Sequence, residues 1–284
     1  MIRKITVIGS GTMGNGIAQV SAMAGFDTSL FDISKEQLVL AEAKINNNLE
    51  KGVQIGKINI EKRDAARQKL SFDSDFETAV KNTDLVIEAV PESMEMKKKI
   101  FSDVERFVHN ETIFATNTTG LSITEIGNAT NRADKVIGMH FFNPVHIMKL
   151  IEIVRSVSTS QETYETIRDV SRKMGKETVE INEAAGFVTS RMNALIGAEA
   201  FRMWEEGVAS PEDIDKALKL GLNHPMGPFE MIDLVGLDVR LASMKNLEKH
   251  LGPAFKPSKK LEELVKKGRL GRKAGKGVYD YQKK

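Results

Sequence analysis

Residues 5–32 carry a pattern that few folds can accommodate. Residues 5–8 are a compact apolar run of strand character that passes directly into Gly9-Ser-Gly11-Thr12-Met13-Gly14. Met13, Ile17, Val20 and Ala24 then recur at helical spacing until Gly25, residues 26–31 read as a second strand, and Asp32 stands at its end. Strand, glycine turn, helix, strand and acid in that order describe the opening of a dinucleotide-binding sheet. Gly9 permits the tight turn, Gly11 lets the backbone approach a pyrophosphate, and Gly14 lets the helix pack closely on the strand. The anion is expected on the helix N-terminus, beside Thr12 and Met13, where free N–H groups and the dipole favour it. Asp32 lies at the spacing of about 20 residues at which an acid accepts bonds from the ribose hydroxyls. Its charge repels a 2′-phosphate and no arginine follows closely, so NAD is expected rather than NADP.

The alternation continues. Ser34 and Gln37 form a capping box for a helix with Leu38, Ala41, Ile45 and Leu49 on one face. A charged helix is predicted over 60–70; Lys51, Lys57 and Lys62 fit a solvated face, or one or two of them serve a phosphate-bearing substrate. Strands are predicted at 70–72 and 85–90, with Glu88 and Glu92 where strand ends deliver side chains to a ligand. Lys97 sits in the first turn of a helix over 94–108, where the dipole gives a cation no advantage, so a ligand or a nearby carboxylate is its expected partner. A strand at 113–116 ends in Asn117-Thr-Thr119-Gly, a group of small hydrogen-bonding side chains.

Residues 136–154, VIGMHFFNPVHIMKLIEIV, place two proton-handling groups inside apolar strands: His140 and Glu152, separated by the break at Asn143-Pro144. An unpartnered carboxylate in LIEIV costs several kcal/mol, on the order expected for burying a charge, so Glu152 requires a donor, and His140 is the nearest candidate. A satisfied core histidine with a locally paired glutamate fits these residues equally well. A helix over 161–174 and a strand at 178–181 complete an α/β, doubly wound, Rossmann-type domain.

After Glu183 the period becomes helical. Helices are predicted over 187–206, from the Ser210 cap with Pro211 onward, over 229–247, and at 261–267; the glycine-rich, basic stretch 266–277 reads as a solvated tail, or as a phosphate wrap. The expected division is a cofactor domain, 1–183, and an all-helical domain, 184–284, whose exposed apolar faces suggest a homodimer. Composition excludes several classes. A formal charge of +2 from 41 basic and 39 acidic residues gives no field for nucleic acid, no apolar run suggests a membrane helix, and the absence of cysteine removes thiol and disulfide chemistry. Five histidines show no metal-ligand spacing, and the chain starts without a cleavable hydrophobic segment, so a cytoplasmic location is expected.

GSGTMG, FDIS, AVPES with Lys97, ATNTTG, GMHFFNPV, KLIEIV, NHPMGPFE and GRKAGKGVYDY together resemble the L-3-hydroxyacyl-CoA dehydrogenase family, especially its bacterial 3-hydroxybutyryl-CoA members. The resemblance implies NAD-dependent interconversion of a 3-hydroxyacyl-CoA and its 3-ketoacyl-CoA, with His140 as base on the 3-hydroxyl and Glu152 orienting the imidazole. It also implies cofactor contacts at Glu92, Lys97, Asn117 and Asn143, and a helical half that forms a dimer interface and closes over the acyl-CoA. Two motifs depart from the family pattern. NTSS reads Asn117-Thr-Thr119-Gly, so the substrate-facing hydroxyl would be Thr119; GFVxNR reads GFVTSR, putting Ser190 where an asparagine is usual. A dehydrogenase of free 3-hydroxy acids or sugar acids, and a non-catalytic NAD-binding protein, are the alternatives.

Overall fold

The computed structural model describes residues 1–281, so the last three positions of the expected 184–284 domain lie outside the described residues. The chain divides into two compact units, residues 1–184 and a second unit beginning at Ala185.

In the first unit eight strands form one sheet: β1 (Lys4–Ile8), β2 (Asp27–Phe31), β3 (Leu70–Asp73), β4 (Leu85–Glu88), β5 (Ile113–Thr116), β6 (Val136–Phe141), β7 (Leu150–Arg155) and β8 (Glu177–Asn182). Their order is β3-β2-β1-β4-β5-β6-β7-β8. All neighbours are parallel except β6 and β7. The connection 142–149 between those two is too short for a helical crossover, which takes about a dozen residues or more, so β7 turns straight back. The strand order reverses between β1 and β4, and the crevice beyond the carboxyl ends there is where an open parallel sheet takes its ligand. Every residue of β4, β5 and β6 is buried, as in a sheet covered on both faces. A charge in these strands therefore needs a partner.

The cover is supplied by α1 (Thr12–Met23), α2 (Lys35–Gln54), α3 (Ile60–Gln68), α4 (Phe76–Val80), α5 (Met94–Glu105), α6 (Ile123–Gly127) and α7 (Gln161–Lys173). Ser34 caps α2 by accepting from Gln37 N–H, and α2 buries the stripe Leu38, Ala41, Ile45 and Leu49.

The second unit consists of α8 (Thr189–Glu205), α9 (Pro211–Gly221), α10 (Pro228–Val235), α11 (Leu237–Leu251) and α12 (Lys259–Lys266) around Phe201, Phe229, Ile232, Leu237, Met244 and Leu247. Three sequence expectations are corrected here. The helix expected from 187 starts at Thr189, because Gly186 and Phe187 have φ of 73° and 50°, outside the right-handed helix. The single helix expected over 229–247 is two, broken at Gly236 with φ of 109°, a conformation that glycine adopts without strain. The basic stretch is not a solvated tail: it folds around Asp233, whose fully buried carboxylate accepts Val278 N–H, Tyr279 N–H and Tyr281 OH at 2.8, 2.9 and 2.8 Å. Gly277 packs so tightly there that a Cβ would fall 2.0 Å from Asp233 Oδ1. One of the glycines, Gly277, thus packs on an anion, and that anion is a side chain of the same unit. Among the described residues no helix is long and apolar enough to cross a membrane.

Candidate active site

The turn after β1 is built for close approach. Gly9 has φ of 97° and donates its N–H to Phe31 O at 2.8 Å, while a Cβ on Gly14 would land 1.7 Å from Gly9 O. Gly11 and Thr12 are exposed at the start of α1, Met13 is half-buried, and a Cβ on Gly11 would meet nothing within 4 Å. The first turn of α1 has no side-chain cap and no acid, which leaves its N–H groups for an anion. Asp32 closes the turn from the other side: Oδ2 accepts Ser10 N–H and Ser10 Oγ, both at 2.8 Å, and Oδ1 accepts Ser34 N–H at 3.1 Å. The turn, the uncapped helix end and the acid together fit a dinucleotide.

At the end of β4, Glu88 is wholly buried and wholly satisfied. It accepts Val90 N–H at 2.6 Å, Lys97 Nζ at 2.8 Å on each oxygen, and Thr116 Oγ1 at 2.7 Å. Lys97 thus meets a carboxylate of its own unit, and its side chain has no exposed surface. Glu92 lies 3.6 Å from the same ammonium and accepts on one oxygen from Thr118 Oγ1 (2.6 Å), Thr119 N–H (2.9 Å) and Thr119 Oγ1 (2.9 Å). Asn117 Oδ1 accepts Phe141 N–H at 2.9 Å, tying the end of β5 to the end of β6.

The antiparallel turn-back decides where the proton-handling groups stand. His140 on β6 and Glu152 on β7 are register partners, and His140 Nδ1 lies 2.7 Å from Glu152 Oε2. Glu152 is 0 % exposed and His140 6 %. A carboxylate facing one ring nitrogen fixes which tautomer the imidazole adopts. The ring of Phe142 packs against His140 in a tilted arrangement, 4.6 Å between centroids and 47° between planes.

The remaining candidates are more scattered. Asn143 is exposed, and its peptide bond to Pro144 is cis. Ser190 belongs to the first turn of α8, half-buried, in the second unit. Of the lysines considered for phosphate, Lys62 lines a cavity of about 280 Å³ together with His146, Lys149 and Lys173. Burial pushes the His146 imidazole below its ordinary range, and the charges of Lys176, Lys44, Lys57 and Lys51 add to that shift. Two participants were not anticipated from the residues, Ser10 under Asp32 and Thr116 under Glu88, whereas Thr118 under Glu92 belongs to the hydrogen-bonding group expected after the 113–116 strand. Each of the two is a hydroxyl one position from an expected site residue or at a strand end, which is the signal that could have found them.

The 3-hydroxyacyl-CoA dehydrogenase NAD-binding domain model matches residues 4–184, and the C-terminal domain model of the same family matches residues 186–281. The chain belongs to the 3-hydroxyacyl-CoA dehydrogenase family. It is similar to a probable 3-hydroxybutyryl-CoA dehydrogenase of Bacillus subtilis, 41 % identical with 100 % of this chain and 99 % of that one covered. A 3-hydroxybutyryl-CoA dehydrogenase of Clostridioides difficile is 42 % identical over 99 % and 100 %. Among solved structures, an (S)-3-hydroxybutyryl-CoA dehydrogenase from Ralstonia eutropha superposes with a TM-score of 0.96 at 38 % identity, covering all of both chains. Family membership makes the first unit an NAD-binding domain and the protein an NAD-dependent oxidoreductase.

Proposed function

We propose that this protein interconverts short-chain L-3-hydroxyacyl-CoA and 3-ketoacyl-CoA, the pair 3-hydroxybutyryl-CoA and acetoacetyl-CoA being the favoured case. The observation that carries this reading is the buried contact of 2.7 Å between His140 Nδ1 and Glu152, in the same sheet as the dinucleotide turn. In the oxidation direction NAD would be held by the Gly9–Gly14 turn and Asp32, with Glu92, Asn117 and Asn143 toward its reactive end, and would supply the acceptor for the C3 hydride; Lys97, whose side chain has no exposed surface, would act on it through Glu92. His140 takes the 3-hydroxyl proton at Nε2 as general base, and Glu152, holding Nδ1 as its donor, is a positioning residue that faces the positive charge the ring acquires. Thr119 and Ser190 are the hydroxyls assigned to the substrate oxygen.

A CoA thioester also carries phosphates, and the groove lined by Lys62, Lys149 and Lys173 supplies cations for them. The functional division follows the 1–183 and 184–284 boundaries, with dimerisation through the helical domain. Val188, Met192, Leu220, Leu222, Leu234 and Val239 of that unit are exposed apolar side chains suited to a second copy. A cytoplasmic location belongs to the same proposal, and cell fractionation tests it; light scattering tests the dimer. The deciding assay follows NADH oxidation with acetoacetyl-CoA, with free acetoacetate and with CoA thioesters of increasing length. Turnover is expected to be highest with acetoacetyl-CoA, and equal kcat/KM with free acetoacetate would refute the CoA reading.

A further inference from the structure

Glu88, Lys97 and Glu92 form a charged line that the proton transfer at His140 does not use. Glu88 and Lys97 are both 0 % exposed, and the Glu88 carboxylate joins three places in the fold, the turn at Val90, α5 through Lys97 and the end of β5 through Thr116. The ammonium of Lys97 stands between two acids, 2.8 Å from Glu88 and 3.6 Å from Glu92 Oε2. The other oxygen of Glu92 gathers Thr118 and Thr119. The line therefore begins in the core and ends on the hydroxyl assigned above to the substrate.

Stability is a poor reason for such a pair. Exchanging a buried ion pair for apolar residues of similar volume is often neutral or stabilising, and a helix N-terminus disfavours a cation. What the arrangement achieves is a division of labour between the two acids. Glu88, with two contacts to Lys97, takes most of the ammonium's hydrogen-bonding capacity, and Glu92 is drawn toward it on one oxygen only, which leaves Oε1 for the threonines. Thr119 Oγ1 donates its single proton to that oxygen, so its lone pairs remain for a hydroxyl partner. We propose that Glu88 and Lys97 are positioning residues for the substrate loop: the buried pair sets the place of Glu92, and Glu92 sets the place and proton direction of Thr119. This rests on the reading of Thr119 as a substrate contact.

The test compares Glu88→Gln, Lys97→Met and the double variant with the unaltered enzyme, measuring melting temperature and the kinetics of 3-hydroxybutyryl-CoA oxidation, in which the substrate brings the hydroxyl that Thr119 accepts from. Glu88→Gln leaves Lys97 only Glu92 as a carboxylate partner, so Glu92 is pulled from the loop, and both single variants are expected to melt lower and to raise KM about 10-fold, the size of one hydrogen bond to a charged group. In the double variant no buried charge is left unpaired, so the melting temperature recovers while KM stays raised and kcat moves less. Recovery of KM together with stability would overturn the proposal, since it would show a purely structural pair. If the double variant does not fold, the crystal structure of Glu88→Gln decides: a contracted Lys97–Glu92 distance with the Thr119 bonds lost supports it, and an unchanged loop overturns it. Thr119→Ala is assayed alongside. An unaltered KM there removes the underlying reading of Thr119, whereas a raised KM with a double variant like the unaltered enzyme removes only the role of the pair.

Discussion

Both units bury carboxylates, but the partners differ. In the first unit Glu88 and Glu152 meet side chains that carry or acquire positive charge, Lys97 at 2.8 Å and His140 at 2.7 Å. In the helical unit Asp215 accepts Phe229 N–H, Glu230 N–H and Tyr279 OH at 2.8, 3.0 and 2.8 Å, and Asp233 is held likewise by two amides and Tyr281. Burial pushes the Asp215 carboxyl up from its ordinary value, and the amide and phenol donors pull against that shift. Fixed amides cannot change protonation, so the acids of the helical unit act as anchors that cap α10 and fasten the chain's end. An acid set against an imidazole can direct a proton. Partner identity, more than burial, separates the two uses of the same residue type.

The largest effect expected from this contrast is at His140. His140→Ala should lower kcat by ~10²–10⁴-fold, the usual loss on removing a general base, with little change in NADH affinity, while the melting temperature falls because the buried Glu152 carboxylate loses the imidazole as a partner. Glu152→Gln should lower kcat as well, because the amide can still meet Nδ1 but neither holds the imidazole tautomer nor faces its positive charge with a negative one. Steady-state kinetics with acetoacetyl-CoA check both, and full activity in His140→Ala would end the assignment. Asp233→Ala should act on stability alone. It leaves three donors of a half-buried segment without their acceptor, at about 1–3 kcal/mol each where water cannot reach them, so urea unfolding is expected to show a loss of about 3 kcal/mol, with the kcat of the folded fraction retained. A loss of kcat without a loss of stability would break the comparison.

Asp32 sharpens it, being bonded like an anchor yet placed like a functional acid. Its oxygens hold Ser10 and Ser34. Asp32→Ala is expected to weaken NADH binding by roughly 1.5–3 kcal/mol, as for a lost hydrogen bond to a charged group, and to narrow the preference for NADH over NADPH. Fluorescence titration with both cofactors measures this. Unchanged affinity for both would make Asp32 a scaffold residue only.

What was legible in the sequence followed from local regularities. The glycine turn, the apolar strands and the Leu38–Leu49 stripe are patterns of period two or 3.6, and they led to the doubly wound unit that the structure contains. His140 and Glu152 stood out because a titratable group in an apolar strand needs a partner; that they face each other as register partners came from the antiparallel pairing of β6 with β7. The rest depended on contacts that no period encodes. Asp233 is held by residues 278, 279 and 281, more than forty positions away, so a basic glycine-rich stretch looked like a solvated tail until its acceptor was known. Gly236 looked tolerable inside a helix, and only its φ of 109° shows the break. Glu88 and Thr116 meet because β4 and β5 are neighbours, which is a fact of topology.

The smallest expected effect tests the anchors through pH. Tyr281 is pushed up from 10.0 to about 12, first by burial and then by its bond to the Asp233 carboxylate. Tyr279 is pushed up as well, for the same two reasons, with Asp215 as its acceptor. The folded chain therefore retains a phenolic proton at a pH where the unfolded chain has released it. The stability this gives is complete below about pH 10 and is lost as pH rises through about 12, because above pH 10 the unfolded state binds fewer protons than the native one. Tyr281→Phe removes one donor to Asp233, so it should cost about 0.5–1.5 kcal/mol at neutral pH, a typical net hydrogen bond. It should also flatten the alkaline limb between pH 10 and 12 relative to the unaltered protein, with Tyr279 supplying the slope that remains. Melting temperatures across that interval, measured for both proteins, check the difference. An identical alkaline limb in Tyr281→Phe would mean that the phenol is not held by Asp233, and the anchor would then consist of the two amides alone.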